Sequence, residues 1–187
     1  MEFHFCWVDD EKTLALGCYP TDADLRVLFR EGINAVLSLQ EHLIEGEPAM
    51  MCLHGVRRLA WANVPIQDGG DGGWDGVPTV EALAAAVAQI RAWHQEGRRV
   101  YLHCRQGIGR APTVAIAYLI LARGFHIAHA IARVVERHPG SDPSVYQLGV
   151  LIDYVRQRYE TVHQRSALRP TAFAGKGNGM QSTGKTK

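Results

Sequence analysis

The first half of the chain alternates between short apolar runs and amphipathic stretches. After an initial short strand, residues 13–20 follow an alternating pattern that predicts a second strand. Residues 21–32 have helical spacing, with a polar start at Thr21 and a stop at Gly32. Residues 33–39, INAVLSL, form a continuous run rich in branched side chains, which is typical of a strand buried on both faces of a parallel sheet.

The alternation continues through the middle of the chain and then stops. Residues 58–66 predict a strand, residues 80–97 a helix and residues 98–104 another strand. The remaining pattern is helical, in three segments that cover residues 112–124, 126–138 and 143–164. Together these elements predict an α/β fold with a short, largely parallel central sheet flanked by helices.

Length and composition are those of one globular domain. The chain has 187 residues, of which 47% are hydrophobic and 21% are charged. We expect the domain to span residues 1–165. Residues 166–187 have no periodicity and carry basic but no acidic side chains, so we expect a disordered basic tail there.

Net charge and cysteine spacing indicate which binding partners and which cellular compartment to expect. The formal net charge is +1, so no global field draws the protein to nucleic acid or to a membrane surface. The four cysteines have no paired spacing, the N-terminus has no apolar leader, and no apolar run reaches the roughly 18 residues of a membrane span. These features predict a cytoplasmic monomer that contacts neither nucleic acid nor membrane.

One polar loop interrupts two apolar segments. The stretch HCRQGIGRAPT, residues 103–113, follows a predicted strand and opens a predicted helix. A glycine-punctuated turn of this kind points backbone N–H groups inward, and the helix N-terminus adds its positive end, so the loop is suited to an anion. The same surroundings favour the thiolate form of Cys104. Arg110 can fold back as a planar clamp on phosphate oxygens, while Gly107 and Gly109 permit a tight backbone path.

These residues resemble a known family. HCRQGIGR resembles the C-x5-R signature loop of cysteine-dependent phosphatases, in the form found in dual-specificity phosphatases of the protein tyrosine phosphatase superfamily. The segments LALGCYP, DLRVLFREGINAVLSL and VPIQDGG stand in the order of that family, so the resemblance covers residues 6–160. It implies a phosphatase of phosphotyrosine and phosphoserine or phosphothreonine proteins that works through a phosphocysteine intermediate, without metal or cofactor.

The resemblance also implies a role for each site residue. Cys104 would be the nucleophile, Arg110 the phosphate clamp and Asp68 the general acid, with Asp71 as the alternative acid. The phosphate-binding loop would comprise Arg105, Gln106, Gly107, Ile108, Gly109 and Arg110. Supporting roles would fall to His103, Ala111 and Thr113.

Ala111 departs from the family pattern. Most relatives have Ser or Thr after the arginine, and its hydroxyl helps the thiolate to leave the intermediate. With alanine, we expect a slower second step unless Thr113 or a water replaces the lost donor. The RAP ending also resembles the loop of plant glucan phosphatases. A phosphoglucan or other non-protein phosphoester therefore remains an alternative substrate, and a catalytically weak phospholigand-binding pseudophosphatase or a rhodanese-type sulfur-transfer enzyme remains an alternative function.

Overall fold

A computed structural model describes residues 4–42, 59–69 and 76–167, and the structural statements below concern these residues. The strands are β1 (Phe5–Trp7), β2 (Leu14–Gly17), β3 (Ala35–Ser38), β4 (Ala60–Asn63) and β5 (Val100–His103). The helices are α1 (Asp22–Arg30), α2 (Val80–Gln95), α3 (Arg110–Arg123), α4 (Ile127–Arg137) and α5 (Val145–Ala167).

The five strands form one mixed sheet in the order β1-β2-β5-β3-β4. β1 pairs antiparallel with β2 at one edge, and all the other pairs are parallel. In the register, His103 at the end of β5 lies opposite Gly17 of β2 and Ser38 of β3. The predicted α/β fold with a short, largely parallel sheet is therefore confirmed.

Both faces of the sheet are covered, and the strands alternate between two apolar clusters. In β5, Val100 and Leu102 belong to the larger cluster, which contains side chains of α2, α3 and α5. Tyr101 points to the smaller cluster, where it meets Leu25 and Leu28 of α1. Burial on both sides explains why residues 33–39 form a continuous apolar run instead of an alternating one.

The C-terminal edge of the parallel strands brings distant loops together. Residues that follow β2, β3, β4 and β5 all emerge at this edge, because parallel strands end on the same side of a sheet. They include Cys18 after β2, Glu41 after β3, Asp68 after β4 and Cys104 after β5. This edge of the sheet therefore brings together side chains that could form a site.

Helix bounds differ in detail from the sequence prediction. α3 begins at Arg110 and has Pro112 in its first turn, where the missing N–H is tolerated because the first N–H groups of a helix have no intrahelical acceptor. α5 continues to Ala167, two residues into the predicted disordered tail; extending an existing helix adds one hydrogen bond for each residue that is ordered. The rest of that tail lies outside the described residues. No described helix is both long and apolar enough to cross a bilayer.

Candidate active site

The signature loop, residues 104–110, connects the end of β5 to the start of α3. Cys104 is 2% exposed and Arg110 is 1% exposed, so both functional groups lie at the bottom of the loop. The Gly107 N–H donates to the Cys104 sulfur over 3.3 Å. The loop therefore curves around the sulfur, as a phosphate-binding turn requires.

Four backbone N–H groups of the signature loop are not used in hydrogen bonds among the described residues. Its carbonyls are engaged: the Arg105 oxygen accepts from the Tyr19 N–H (3.1 Å) and the Ile108 oxygen from the Asp142 N–H (2.8 Å). Among the described residues, no acceptor is found for the backbone N–H groups of Arg105, Gln106, Ile108 and Gly109. Such N–H groups form an anion-binding concavity, strengthened by the N-terminus of α3.

Gly107 is the residue that allows this curvature. Its φ is +78°, a left-handed conformation that side chains other than glycine seldom adopt. A Cβ atom at this position would lie 2.7 Å from the Gly17 carbonyl carbon and 3.0 Å from the Cys18 nitrogen. The loop backbone is thus packed directly on the turn that follows β2, with no space for a methyl group.

Arg110 connects the signature loop to the segment that carries Asp68. Its Nη1 atom donates to the Ile66 carbonyl over 3.1 Å and forms an ion pair with Asp68 Oδ1. Its buried Nε–H has no partner among the described residues, so the guanidinium retains a donor for a ligand. Asp68 is 23% exposed on its side chain, which leaves the carboxyl accessible at the rim of the loop.

The backbone of Asp68 is held from two sides. Glu41 Oε2, after β3, accepts the Asp68 N–H over 2.9 Å. On the other side, Gly76 packs so closely that a Cβ on it would lie 1.7 Å from the Gln67 carbonyl oxygen. Asp71, the alternative acid, lies outside the described residues.

His103 lies beneath the loop and is neutral near pH 7. The pKa of this histidine is lowered from 6.5 to about 4, chiefly by burial and in part by the Arg110 charge, against the opposing effect of the hydrogen bond to the Cys104 carbonyl. Nδ1 donates to that carbonyl over 3.2 Å, which fixes the tautomer because a carbonyl can only accept. The ring stacks on Tyr101, with centroids 5.7 Å apart.

Ala111 and Thr113, in the first turn of α3, are buried and do not offer a hydroxyl proton to sulfur. Ala111 is fully buried in the cluster that also contains Cys104. The Thr113 hydroxyl donates to the Gly109 carbonyl over 2.8 Å, a bond within the first turn of α3. Its proton is therefore committed to the backbone, and Thr113 does not replace the hydroxyl that Ala111 lacks.

Comparison with protein family models finds a match over most of the chain. Residues 15–157 match the family model described as the dual specificity phosphatase catalytic domain, which includes the signature loop and Asp68. The chain belongs to the dual-specificity phosphatase family. The match supports membership of the protein tyrosine phosphatase superfamily, which the signature loop suggested.

Curated relatives fall into two groups of phosphatases. Phosphatidylglycerophosphatase and protein-tyrosine phosphatase 1 of Mus musculus is 27% identical over 79% of this chain and 75% of its own length. Dual specificity protein phosphatase 2 of Homo sapiens is 26% identical over 77% of this chain and 42% of its own length. Phosphatidylglycerophosphate phosphatase PTPMT2 of Arabidopsis thaliana is 26% identical, and this chain spans 58% of it. The chain thus spans less than two thirds of the length of two of these three relatives.

Solved structures show the same fold. PTPMT1 superposes with a TM-score of 0.71 at 22% identity and covers 86% of this chain and 99% of its own. Human DUSP28 superposes with a TM-score of 0.67 at 19% identity, covering 85% and 97% of the two chains. At these identities the likeness establishes the fold.

Sequence reasoning missed the residues that position the acid segment, defined here as residues 66–69. Glu41 and Gly76 touch this segment, and Gln147 of α5 hydrogen-bonds the Gly76 carbonyl. The available signal was local: Ser144 and Gln147 have the spacing of a capping box, which marks the start of α5. That spacing predicts a helix cap and says nothing about a contact 71 residues away in sequence.

Proposed function

We propose that the protein hydrolyses phosphomonoesters through a phosphocysteine intermediate. The observation that carries the proposal is the set of signature-loop N–H groups and the buried Arg110 Nε–H for which the described residues offer no acceptor. Donors preorganised around one nucleophile are suited to the equatorial oxygens of a phosphoryl group, where negative charge is spread in the transition state.

The first step transfers the phosphoryl group to sulfur. The Cys104 thiolate attacks phosphorus, the S–P bond forms and the P–O bond to the leaving group breaks. Asp68 donates its proton to the departing oxygen, which would otherwise leave as a poor alkoxide or phenoxide. The contact between Asp68 and Arg110 supports the choice of Asp68, because this carboxyl lies beside the guanidinium that would bind the phosphate.

The second step releases phosphate. Asp68, now a carboxylate, takes a proton from water as the water oxygen attacks phosphorus, and the S–P bond breaks to restore the thiolate. The buried neutral His103 supports the loop backbone through the Cys104 carbonyl and takes no part in proton transfer.

Phosphotyrosine and phosphoserine or phosphothreonine in proteins are the proposed substrates, supported by the dual-specificity family and by relatives named as protein phosphatases. A lipid phosphomonoester is the second candidate. It is favoured by the relatives named phosphatidylglycerophosphatase and by exposed apolar side chains at the start of α5, Val145 (77%) and Tyr146 (74%).

Hydrolysis of p-nitrophenyl phosphate tests the reaction. We expect activity that vanadate inhibits and a metal chelator leaves unchanged, complete loss in Cys104→Ser, and loss of the basic limb of the pH profile in Asp68→Asn. Acid quenching with a radiolabelled substrate should trap label on the wild type and none on Cys104→Ser. Retained phosphate binding without any turnover in the wild type would instead identify a pseudophosphatase.

A substrate panel then separates the two candidates. Phosphotyrosine and phosphothreonine peptides are compared with phosphatidylglycerophosphate in vesicles and with a phosphoglucan, at matched phosphate concentration. A kcat/KM at least 100-fold higher for the lipid would overturn the assignment to protein substrates.

A further inference from the structure

The start of α5 and the residues just before it contact the signature loop and Gly76, the residue that packs on the acid segment. The Asp142 N–H, just before this helix, donates to the Ile108 carbonyl of the signature loop over 2.8 Å. On the other side, Gln147 Nε2 donates to the Gly76 carbonyl over 2.8 Å. One rigid helix end therefore sets the spacing between nucleophile and acid.

Gln147 is well placed to fix that spacing. Its side chain is fully buried, and both ends of its amide are used: Nε2 bonds Gly76 and Oε1 accepts the Ser144 N–H over 2.8 Å. The bond to Ser144 caps α5 and prevents the amide from turning over. A buried amide with both ends satisfied has one orientation, so the position of the Gly76 carbonyl follows from that of the helix.

Gly76 transmits this constraint to Asp68 by direct packing. An added Cβ on Gly76 would meet the Gln67 carbonyl oxygen at 1.7 Å and the Asp68 carbonyl carbon at 3.2 Å, so the two backbones are already in contact. Glu41 accepts a hydrogen bond from the Asp68 N–H, and Arg110 pairs with the Asp68 carboxylate. Movement of Gly76 therefore moves the acid.

We propose that Gln147 is a positioning residue for the general acid: its amide, through the Gly76 carbonyl, holds Asp68 at the distance at which it can protonate the leaving group. This rests on the proposed function, in which Asp68 is that acid. Gln147 does not touch the substrate.

The dependence of the rate on the leaving group tests this role. p-Nitrophenolate leaves readily without a proton, whereas phenolate, with an ordinary pKa near 10, needs one. A misplaced acid should therefore slow phenyl phosphate selectively. Gln147→Glu keeps an acceptor for the Ser144 N–H but loses the donor to Gly76. We expect it to reduce kcat/KM, which reports the step in which the leaving group departs, about 10-fold more for phenyl phosphate than for p-nitrophenyl phosphate. Gln147→Ala should behave in the same way.

A matched control separates positioning from helix capping. Ser144→Ala removes the hydroxyl that accepts the Gln147 N–H over 3.2 Å but leaves the Gln147 amide and its bond to Gly76. It should lower thermal stability without any selectivity between the two substrates. In the Asp68→Asn background, Gln147→Glu should cause no further selective loss, because the acid is already absent.

The outcomes are distinguishable. If Asp68→Asn slows phenyl phosphate selectively while Gln147→Glu slows both substrates equally, the role of Gln147 is overturned and the proposed function stands. Selective losses that add up in the double variant also overturn it, since Gln147 would then act independently of Asp68. Absence of any selectivity in Asp68→Asn, or of any hydrolysis by the wild type, overturns the assignment of the acid and with it the inference.

Discussion

At the scale of single residues, the Cys104 sulfur has one hydrogen-bond donor among the described residues, the Gly107 N–H. Such a bond stabilises negative charge on sulfur and so makes the thiolate a better leaving group from phosphorus. Ala111 supplies no second donor, and the Thr113 hydroxyl donates to the Gly109 carbonyl. We therefore expect breakdown of the phosphocysteine, and not its formation, to limit turnover.

Ala111→Ser restores a hydroxyl next to the sulfur. Wild type should release a burst of p-nitrophenol equal to the enzyme concentration and then turn over slowly. In the variant we expect a smaller burst and a steady-state kcat about 10-fold higher, since a hydrogen bond to a charged group contributes about 1.5–3 kcal/mol. Stopped-flow absorbance measures both. Ala115→Ser, which adds a hydroxyl one turn further along α3, is the control, and an unchanged burst in Ala111→Ser would contradict the expectation.

Residue roles were predictable from sequence to different degrees. Cys104 and Arg110 lie in one short segment whose residue types all suit an anion, so local chemistry identifies them. Asp68 needed the family resemblance, because three aspartates share its segment. Glu41 and Gln147 were not predictable, since their contacts span 27 and 71 residues and depend on which loops meet at one sheet edge.

At the scale of elements, hydrophobic periodicity predicted each helix and strand within a few residues, but not the strand order. The position of β5 between β2 and β3 is fixed by pairing between distant segments, and two buried strands with similar side chains have similar patterns. This order decides the site, because it brings the signature loop next to the turn after β2, where Gly107 packs on Gly17.

Two glycines near the start of α5 differ in what surrounds them. Gly149 is an exposed helical position with no atom within 4 Å of an added Cβ. Gly149→Ala should therefore stabilise the protein by about 0.5–1 kcal/mol through helix propensity, without a change in kcat. Urea denaturation measures the free energy of unfolding.

Gly76→Ala makes the same chemical change where the methyl group has no space. Because the added Cβ would meet the Gln67 carbonyl, the acid segment must shift, and we expect phenyl phosphate hydrolysis to fall by more than 10-fold. Kinetics of both variants, measured in parallel, check this contrast. Equal activity of Gly76→Ala and wild type would show that the acid segment tolerates displacement.

At the scale of the whole molecule, the fold buries histidines in neutral form. Burial lowers the pKa of three histidines: His103 in β5, His94 in α2, and His138, which follows α4. The His94 ring hydrogen-bonds the Tyr118 hydroxyl (2.7 Å) and the Thr13 carbonyl (3.0 Å), and so holds parts of the fold together. Burial of the same ring disfavours its protonation. Their protonation on unfolding makes the stability of the entire domain depend on pH.

The direction of this pH dependence, and the pH range over which it occurs, follow from the lowered pKa values. The unfolded chain binds a proton on His103 below pH 6.5, whereas the folded chain does so only below about pH 4. Between these values the unfolded state holds more protons. The contribution of His103 to the free energy of unfolding is therefore fully present above pH 6.5 and falls as the pH drops towards 4. The His103 contribution to this fall is on the order of 3 kcal/mol, and His94 and His138 act in the same direction.

Urea denaturation at pH 7, 6, 5 and 4 should show this decline in the free energy of unfolding. It should be shallower in His103→Asn, whose amide can still donate to the Cys104 carbonyl, and unchanged in the exposed His129→Asn. An identical slope in His103→Asn and wild type would mean that the folded protein accepts the proton.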